Sequence, residues 1–173
     1  NPLAFFATPP DVVTDMIWRA RLDGDQQILE PSAGTGAIAD AIRSAAPDAV
    51  LHCVEVDAAR AAHLRAAGYT VAEQDFLTFA PTVQFDRVLM TPPFTLTGDP
   101  LAYITHIEKA FAHLAPNGRL VAIAPVGFTF RDDKRSRAFR AFVEKNGSWS
   151  ALDNDAFKAS GAGVNTVMLW LDR

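Results

Sequence analysis

Residues 30–36 (Glu-Pro-Ser-Ala-Gly-Thr-Gly) combine an acidic side chain with a glycine turn. The apolar pair Ile28-Leu29 precedes them, and an Ala- and Ile-rich stretch begins at Ala37. This order predicts a β-strand that enters an α-helix through a tight loop. Gly34 and Gly36 can adopt positive φ and leave the main chain open to close approach. The stretch therefore predicts a binding turn for a nucleotide-type ligand.

Acidic residues stand at the ends of three consecutive predicted strands: Glu30, Glu55 and Asp75. Because the carboxyl ends of parallel strands share one edge of a sheet, we expect these carboxylates to lie close together. The glycine turn followed by Glu55 also fits the fingerprint of a dinucleotide site. A carboxylate at position 30 would repel a pyrophosphate, however, and would tolerate an ammonium or sulfonium group. The three acids therefore favour a neutral or cationic adenosyl ligand.

Predicted helices and strands alternate along the chain, which indicates an α/β fold with a doubly wound, mostly parallel sheet. The helices are predicted at 37–46, 58–67, 99–114 and 132–145, and a further helix is predicted after Asp11, which can cap it. The strands are predicted at 27–30, 50–57, 69–72, 85–90, 119–124, 149–152 and 164–171. At 173 residues the chain fits a single domain, 1–173, and leaves little for a second.

Composition restricts the classes of function. No apolar run reaches the length of a membrane span, and the single cysteine, Cys53, suits a reducing cytoplasm, so we expect a cytoplasmic protein without membrane association. The four histidines show no ligand spacing, and we expect no metal. A net charge of −4 disfavours unaided binding to duplex nucleic acid. The one basic cluster, residues 131–140, could contact phosphates or could be an ordinary charged helix face.

Several ordered motifs resemble those of class I S-adenosylmethionine-dependent methyltransferases. They lie at 30–36, 54–57, 74–77, 85–94 and 114–120. Within that superfamily the chain is similar to the compact bacterial, phage and plasmid adenine-N6 DNA methyltransferases. Residues 6–9 resemble their N-terminal cofactor motif, and 156–161 with 163–166 resemble their ending. The resemblance implies a seven-stranded Rossmann-like sheet with an antiparallel last strand, and S-adenosylmethionine as cofactor.

The resemblance also implies roles for individual residues. The cofactor site would comprise Thr8, Glu30, Pro31, Ser32, Gly34, Gly36, Glu55, Asp75 and Phe76. Gly34 and Gly36 would approach the methionine part, and Thr8 would help to close the site over it. Glu55 would accept both ribose hydroxyls. Asp75 would accept the adenine amino group, with Phe76 beside the ring. The opening Phe5 and Phe6 could contact the cofactor or plug the sheet edge.

The substrate loop would be Thr91, Pro92, Pro93 and Phe94. A side-chain oxygen and the Pro92 carbonyl would accept the two N–H bonds of an exocyclic amine, and Phe94 would stack on the extruded base. The family has Asn, Asp or Ser where this chain has Thr91. A threonine hydroxyl is also an acceptor, but it is shorter than Asn and β-branched. Either Thr91 still holds the amine, for this or another substrate, or catalysis has been lost.

Three functions follow as alternatives. The first is methyl transfer to adenine N6 in DNA, where specificity must come from short loops, an oligomer or a partner. The second retains the chemistry on RNA or on a protein glutamine. The third is an S-adenosylmethionine-binding module without catalysis in a larger complex. The Phe-Ala-Thr-Pro opening at residues 6–9 and the Asn165-Thr166 ending favour DNA, and the acidic balance favours the second alternative.

Overall fold

The computed structural model describes residues 5–158 and 163–173. Its helices are α1 (Pro10–Ala20), α2 (Ala37–Ala45), α3 (Ala58–Ala66), α4 (Ala102–Ala112) and α5 (Lys134–Asn146). Its strands are β1 (Gln27–Glu30), β2 (Val50–Glu55), β3 (Thr70–Glu73), β4 (Phe85–Met90), β5 (Leu114–Pro125), β6 (Gly147–Ala151) and β7 (Thr166–Asp172). Short 3-10 turns follow β3 and β5, at Phe76–Thr78 and Val126–Thr129. Residues 159–161 of the predicted C-terminal motif lie outside the described residues.

The seven strands form one sheet in the order β3-β2-β1-β4-β5-β7-β6. Strands β1 to β5 pair in parallel, and β7 runs antiparallel to both β5 and β6. The strand order reverses between β1 and β4, the central neighbours from which the two halves of the sheet wind outward. This arrangement confirms the predicted doubly wound, Rossmann-like fold with an antiparallel last strand. It also places the carboxyl ends of β1, β2 and β4 side by side, where such folds bind ligands.

Alternate residues of the central strands are buried on opposite faces of the sheet. Ile28 and Leu89 belong to an apolar cluster with α1 and α2, whereas Leu29 and Val88 belong to a cluster with α4 and α5. Burial on both faces explains why Ile28-Leu29 in β1 and Val88-Leu89-Met90 in β4 are consecutive apolar residues. Together, the two layers of helices hold the strand ends in fixed positions.

Several element boundaries differ from the sequence prediction, among them the start of β5, which lies at Leu114 rather than at Arg119. Helix α1 begins at Pro10 without a side-chain cap, so Asp11 lies in its first turn and is not the predicted cap. Proline is favoured at the first helical position because the N–H there needs no partner. Helix α4 starts at Ala102 rather than near Asp99, whose carboxylate instead accepts the Leu101 N–H and pairs with Arg135. In the described part of the chain, no helix is long and apolar enough to cross a membrane.

Candidate cofactor and substrate cleft

A cleft of about 160 Å³ opens at the carboxyl edge of the parallel strands. A single water needs only about 10–15 Å³ by the same measure, so the cleft has room for a ligand. Nine of the predicted site residues line it: Thr8, Glu30, Pro31, Ser32, Glu55, Asp75, Phe76, Thr91 and Pro93. The convergence of these residues follows from the strand order, because each one stands at or just beyond a strand end or on the segment before α1.

Glu30, the last residue of β1, is completely buried in the wall of this cleft. Its Oε1 accepts the Ser32 N–H at 3.1 Å, and its Oε2 has no partner. Burial raises the pKa of Glu30 to about 8; the Ser32 hydrogen bond opposes the rise and the charge of Glu55 adds to it. A buried carboxyl with one unpartnered oxygen is costly, and a cationic ligand group is the partner that would offset the cost. This observation fits a ligand that carries an ammonium group.

Glu55, the last residue of β2, is also buried, but its carboxylate already accepts three hydrogen bonds. Its Oε2 accepts the Gly34 N–H at 2.8 Å, while its Oε1 accepts the Asp57 N–H at 2.8 Å and an Arg60 N–H at 2.9 Å. A carboxylate offers about four lone-pair sites. In this arrangement Glu55 can therefore accept one more hydroxyl, and the two ribose hydroxyls expected there would require Arg60 to move.

The part of the cleft that we expect to hold adenine is formed by the turn after β3. Asp75 is exposed, and its Oδ1 caps the 3-10 turn by accepting the Leu77 N–H at 2.9 Å, which leaves Oδ2 open to a ligand. Phe76 is buried beside it and lines the cleft. His106 of α4, whose ring lies 6.1 Å from that of Phe76, lines the cleft as well.

His106 lines the cleft with a neutral ring. Its Nδ1 hydrogen-bonds the Ala102 carbonyl at 2.9 Å, so Nδ1 carries the proton and Nε2 is an acceptor. Burial lowers the pKa of His106, which keeps the ring neutral. The four histidines of the sequence show no ligand spacing, so the sequence carries no signal that singles out His106.

The glycine turn takes the predicted conformation but does not face the cleft directly. Gly34 has φ +56° and Gly36, the N-cap of α2, has φ +98°. The ring of Phe5 covers Gly34 so closely that a Cβ at position 34 would overlap it. Phe5 also lies against the Arg60 guanidinium, 4.8 Å from its ring centroid. Phe5 and Arg60 thus line the cleft where the sequence predicted bare glycine main chain.

The substrate loop is only partly placed as predicted. Thr91 and Pro93 line the cleft, whereas Pro92 is buried and does not. Phe94 is 4% exposed and packs in the core between Phe6 and Phe157, with ring centroids 5.7 and 6.3 Å away. Contrary to the prediction, Phe94 has no free ring face on which a base could stack, because the segment before α1 occupies it.

Thr91 is held from two sides. Its main-chain carbonyl accepts the Ser32 hydroxyl at 3.1 Å, and its side-chain hydroxyl lies 2.9 Å from that of Thr8. Ser32 therefore ties the cofactor loop to the substrate loop, as well as shaping its own turn. The contact between Thr8 and Thr91 joins residues far apart in the chain, and sequence reasoning had no means to find it.

The sheet order and the acid-lined cleft define a nucleotide-cofactor-binding α/β domain of the methyltransferase type. The chain belongs to the methyltransferase small domain family, whose model matches residues 5–142. S-adenosylmethionine is accordingly its cofactor. Glu30 would hold the cofactor's ammonium group, Glu55 its ribose and Asp75 its adenine, and the cofactor supplies an activated methyl group on sulfur.

Solved structures share the fold. The modification subunit of a candidate type I restriction enzyme from Vibrio vulnificus YJ016 matches with a TM-score of 0.83 at 18% identity, over 98% of this chain and 45% of that one. A class I S-adenosylmethionine-dependent methyltransferase candidate from Listeria monocytogenes matches at 0.73 and 20% identity, over 96% and 60%. TrmN from Thermus thermophilus matches at 0.68 and 20%, over 95% and 48%. The chain thus spans about half of the length of these proteins.

Proposed function

We propose that this protein transfers a methyl group from S-adenosylmethionine to the exocyclic N6 amine of adenine in DNA. The observation that carries the proposal is the position of Thr91, whose hydroxyl shares one cleft with Glu30, Glu55 and Asp75. A methyl donor bound by the three acids would therefore lie beside a hydrogen-bond acceptor at the end of β4. That is the arrangement a nitrogen substrate needs.

The chemistry of the amine explains the need for an acceptor. The lone pair of an exocyclic amine is delocalised into its ring, so the nitrogen is a weak nucleophile until its N–H bonds are held by oxygen acceptors. Thr91 provides one such oxygen in the cleft. Transfer in line from sulfur then depends on positioning and on fixed dipoles rather than on a covalent enzyme intermediate.

A basic face near the cleft supports a nucleic acid substrate. The face consists of Arg131, Lys134 and Arg137, which are exposed and, among the described residues, have no carboxylate within ion-pair distance. Arg135, at the start of α5, binds Asp99 at 2.7 Å, and Asp99 bridges to Leu96, which lines the cleft. The start of α5, from which this basic face extends, therefore lies next to the cleft, and we expect phosphates flanking an extruded base to pass there.

An adenine must leave the duplex stack to reach this cleft, or start in a single strand. The base-stacking role expected of Phe94 would require its contact with Phe6 to open. Exposed Phe130, 68% accessible and adjacent to Arg131, offers an alternative aromatic surface outside the cleft. The similarity to a restriction-enzyme modification subunit agrees with a nucleic acid substrate.

The product of the reaction tests the proposal. The protein is incubated with S-adenosylmethionine carrying a deuterated methyl group and with single-stranded DNA, duplex DNA, RNA or protein extract, and the hydrolysed acceptors are analysed by mass spectrometry. We expect labelled N6-methyladenine from DNA, strongest from single strands, and none from an oligonucleotide in which guanine replaces every adenine. Label in RNA alone or in glutamine alone would reject DNA as the substrate. No label anywhere, with S-adenosylhomocysteine still bound, would favour a binding module.

A further inference from the structure

The hydroxyls of Thr8 and Thr91 form a pair inside the cleft. Their oxygens are 2.9 Å apart, both residues line the cleft, and Thr8 is only 9% exposed. Either oxygen can be the donor in this pair. The direction of the hydrogen bond matters, because it decides which hydroxyl is left with free lone pairs facing the cleft.

Both partners are fixed by other contacts, so the pair is part of the architecture. Thr8 is followed by Pro9, the N-cap of α1, and Phe6, two residues before Thr8, stacks on Phe94. On the other side, the Thr91 carbonyl accepts the Ser32 hydroxyl. The main chain at each threonine is thereby anchored by neighbouring contacts.

We propose that the Thr91 hydroxyl donates the hydrogen bond to the Thr8 oxygen, and that Thr8 is a positioning residue for the methyl acceptor. A free hydroxyl can rotate its proton toward the substrate nitrogen and would then oppose the amine's own N–H. With its proton committed to Thr8, Thr91 presents only lone pairs to the cleft. The hydroxyl then acts as a pure acceptor, as the oxygen of an asparagine amide does. This inference rests on the proposed methyl transfer to nitrogen.

The inference explains how threonine can serve at a position where the related enzymes have asparagine, aspartate or serine. An asparagine side-chain oxygen has no proton to redirect, so it would not depend on Thr8. The contribution of Thr8 should therefore be large when residue 91 is threonine and small when it is asparagine. That difference is specific to the hydrogen-bond direction, and a general structural role for Thr8 would not produce it.

A double-mutant cycle tests this dependence. Methyl transfer is measured for the wild type, Thr8→Val, Thr91→Asn and the double variant, on whichever acceptor the wild type labels. Thr8→Val should lower kcat at least tenfold in the wild-type background, which corresponds to about 1.4 kcal/mol. The same substitution should lower kcat less than about threefold in the Thr91→Asn background. Thr8→Ser, which keeps the hydroxyl, should restore most of the wild-type rate.

Calorimetric binding of S-adenosylhomocysteine and circular dichroism establish that each variant is folded and binds cofactor. Equal losses from Thr8→Val in both backgrounds would overturn the inference and leave the proposed function intact. An inactive wild type with an active Thr91→Asn variant would also overturn it, because Thr91 would then not be a working acceptor. If neither enzyme labels any acceptor while both bind S-adenosylhomocysteine, the proposed function fails and the inference fails with it.

Discussion

Glu30 should make cofactor binding strongly dependent on pH. Its pKa is raised from 4.5 to about 8, mainly by burial, so most molecules carry a neutral Glu30 at pH 7 when no ligand is bound. Only the ionised carboxylate attracts an ammonium group, and the open Oε2 is the atom available to it. Binding of S-adenosylmethionine should therefore require loss of a proton from Glu30 below pH 8.

The size of the effect follows from the pKa. With a pKa of about 8, roughly 1% of Glu30 is ionised at pH 6 and about half at pH 8, so the affinity should rise about fiftyfold over that range. At pH 7 binding should release about 0.9 proton. Glu30→Gln keeps an acceptor for the Ser32 N–H and mimics the neutral acid. It should bind the cofactor more weakly than the wild type at pH 8, and its affinity should change little with pH.

Stability should change with pH in the opposite direction to affinity. The pKa of Glu30 is higher in the folded protein than in the unfolded chain, so the folded protein holds a proton that the unfolded chain releases. The contribution of Glu30 to the free energy of unfolding is therefore greatest below about pH 4.5 and falls as pH rises through about 8. Between pH 6 and pH 8 the wild type should lose about 2 kcal/mol of unfolding free energy relative to Glu30→Gln.

Calorimetry in two buffers of different ionisation enthalpy measures both the affinity and the proton release, and urea unfolding measures the stability. The ligand's own amino group also titrates, so the difference between wild type and Glu30→Gln is the decisive quantity. The reasoning is refuted if the two proteins show the same pH dependence of affinity, or if no proton is released at pH 7.

Three further outcomes follow from the packing and the charges. Gly34→Ala should displace Phe5 and weaken S-adenosylhomocysteine binding at least tenfold by calorimetry, whereas Gly24→Ala, also at positive φ but with open space around it, should leave the affinity unchanged. Phe139→Ala should cost about 3–5 kcal/mol in urea unfolding because the ring is fully buried, whereas Phe130→Ala, on the surface, should change it by less than about 0.5 kcal/mol. Reversing all three charges of the basic face should weaken single-stranded DNA binding and flatten its salt dependence without changing cofactor affinity, and Lys145→Glu at the far end of α5 should do neither.

The fold and the three acidic residues of the cleft could be predicted from the sequence because both depend on local patterns. Unbroken apolar runs mark strands buried on two faces, and strand-end residues of a parallel sheet meet at one edge whatever the intervening chain does. Glu30, Glu55 and Asp75 were found in this way, and all of them line the cleft.

The contacts that complete the cleft could not be read from the sequence, because they join distant segments. Phe5 covers Gly34, and Phe6 fills the space that Phe94 was expected to share with a base. Both contacts depend on how the segment before α1 folds back, which no periodicity encodes. Arg60, in the first turn of α3, pairs with the strand-end acid Glu55 at 2.9 Å across the loop between β2 and α3, a contact that has no fixed sequence spacing.

The central claim is that the methyl group is transferred at the Thr91 end of the cleft. The most direct test compares wild type with Thr91→Val. Both are assayed for single-turnover methyl transfer from labelled S-adenosylmethionine to a single-stranded DNA that contains adenine. We expect the rate to fall about 100-fold or more, with unchanged affinity for S-adenosylhomocysteine, because one transition-state contact is removed. Thr95→Val, an exposed position on the same loop, should retain the wild-type rate. A Thr91→Val enzyme that transfers methyl at nearly the wild-type rate would contradict the account.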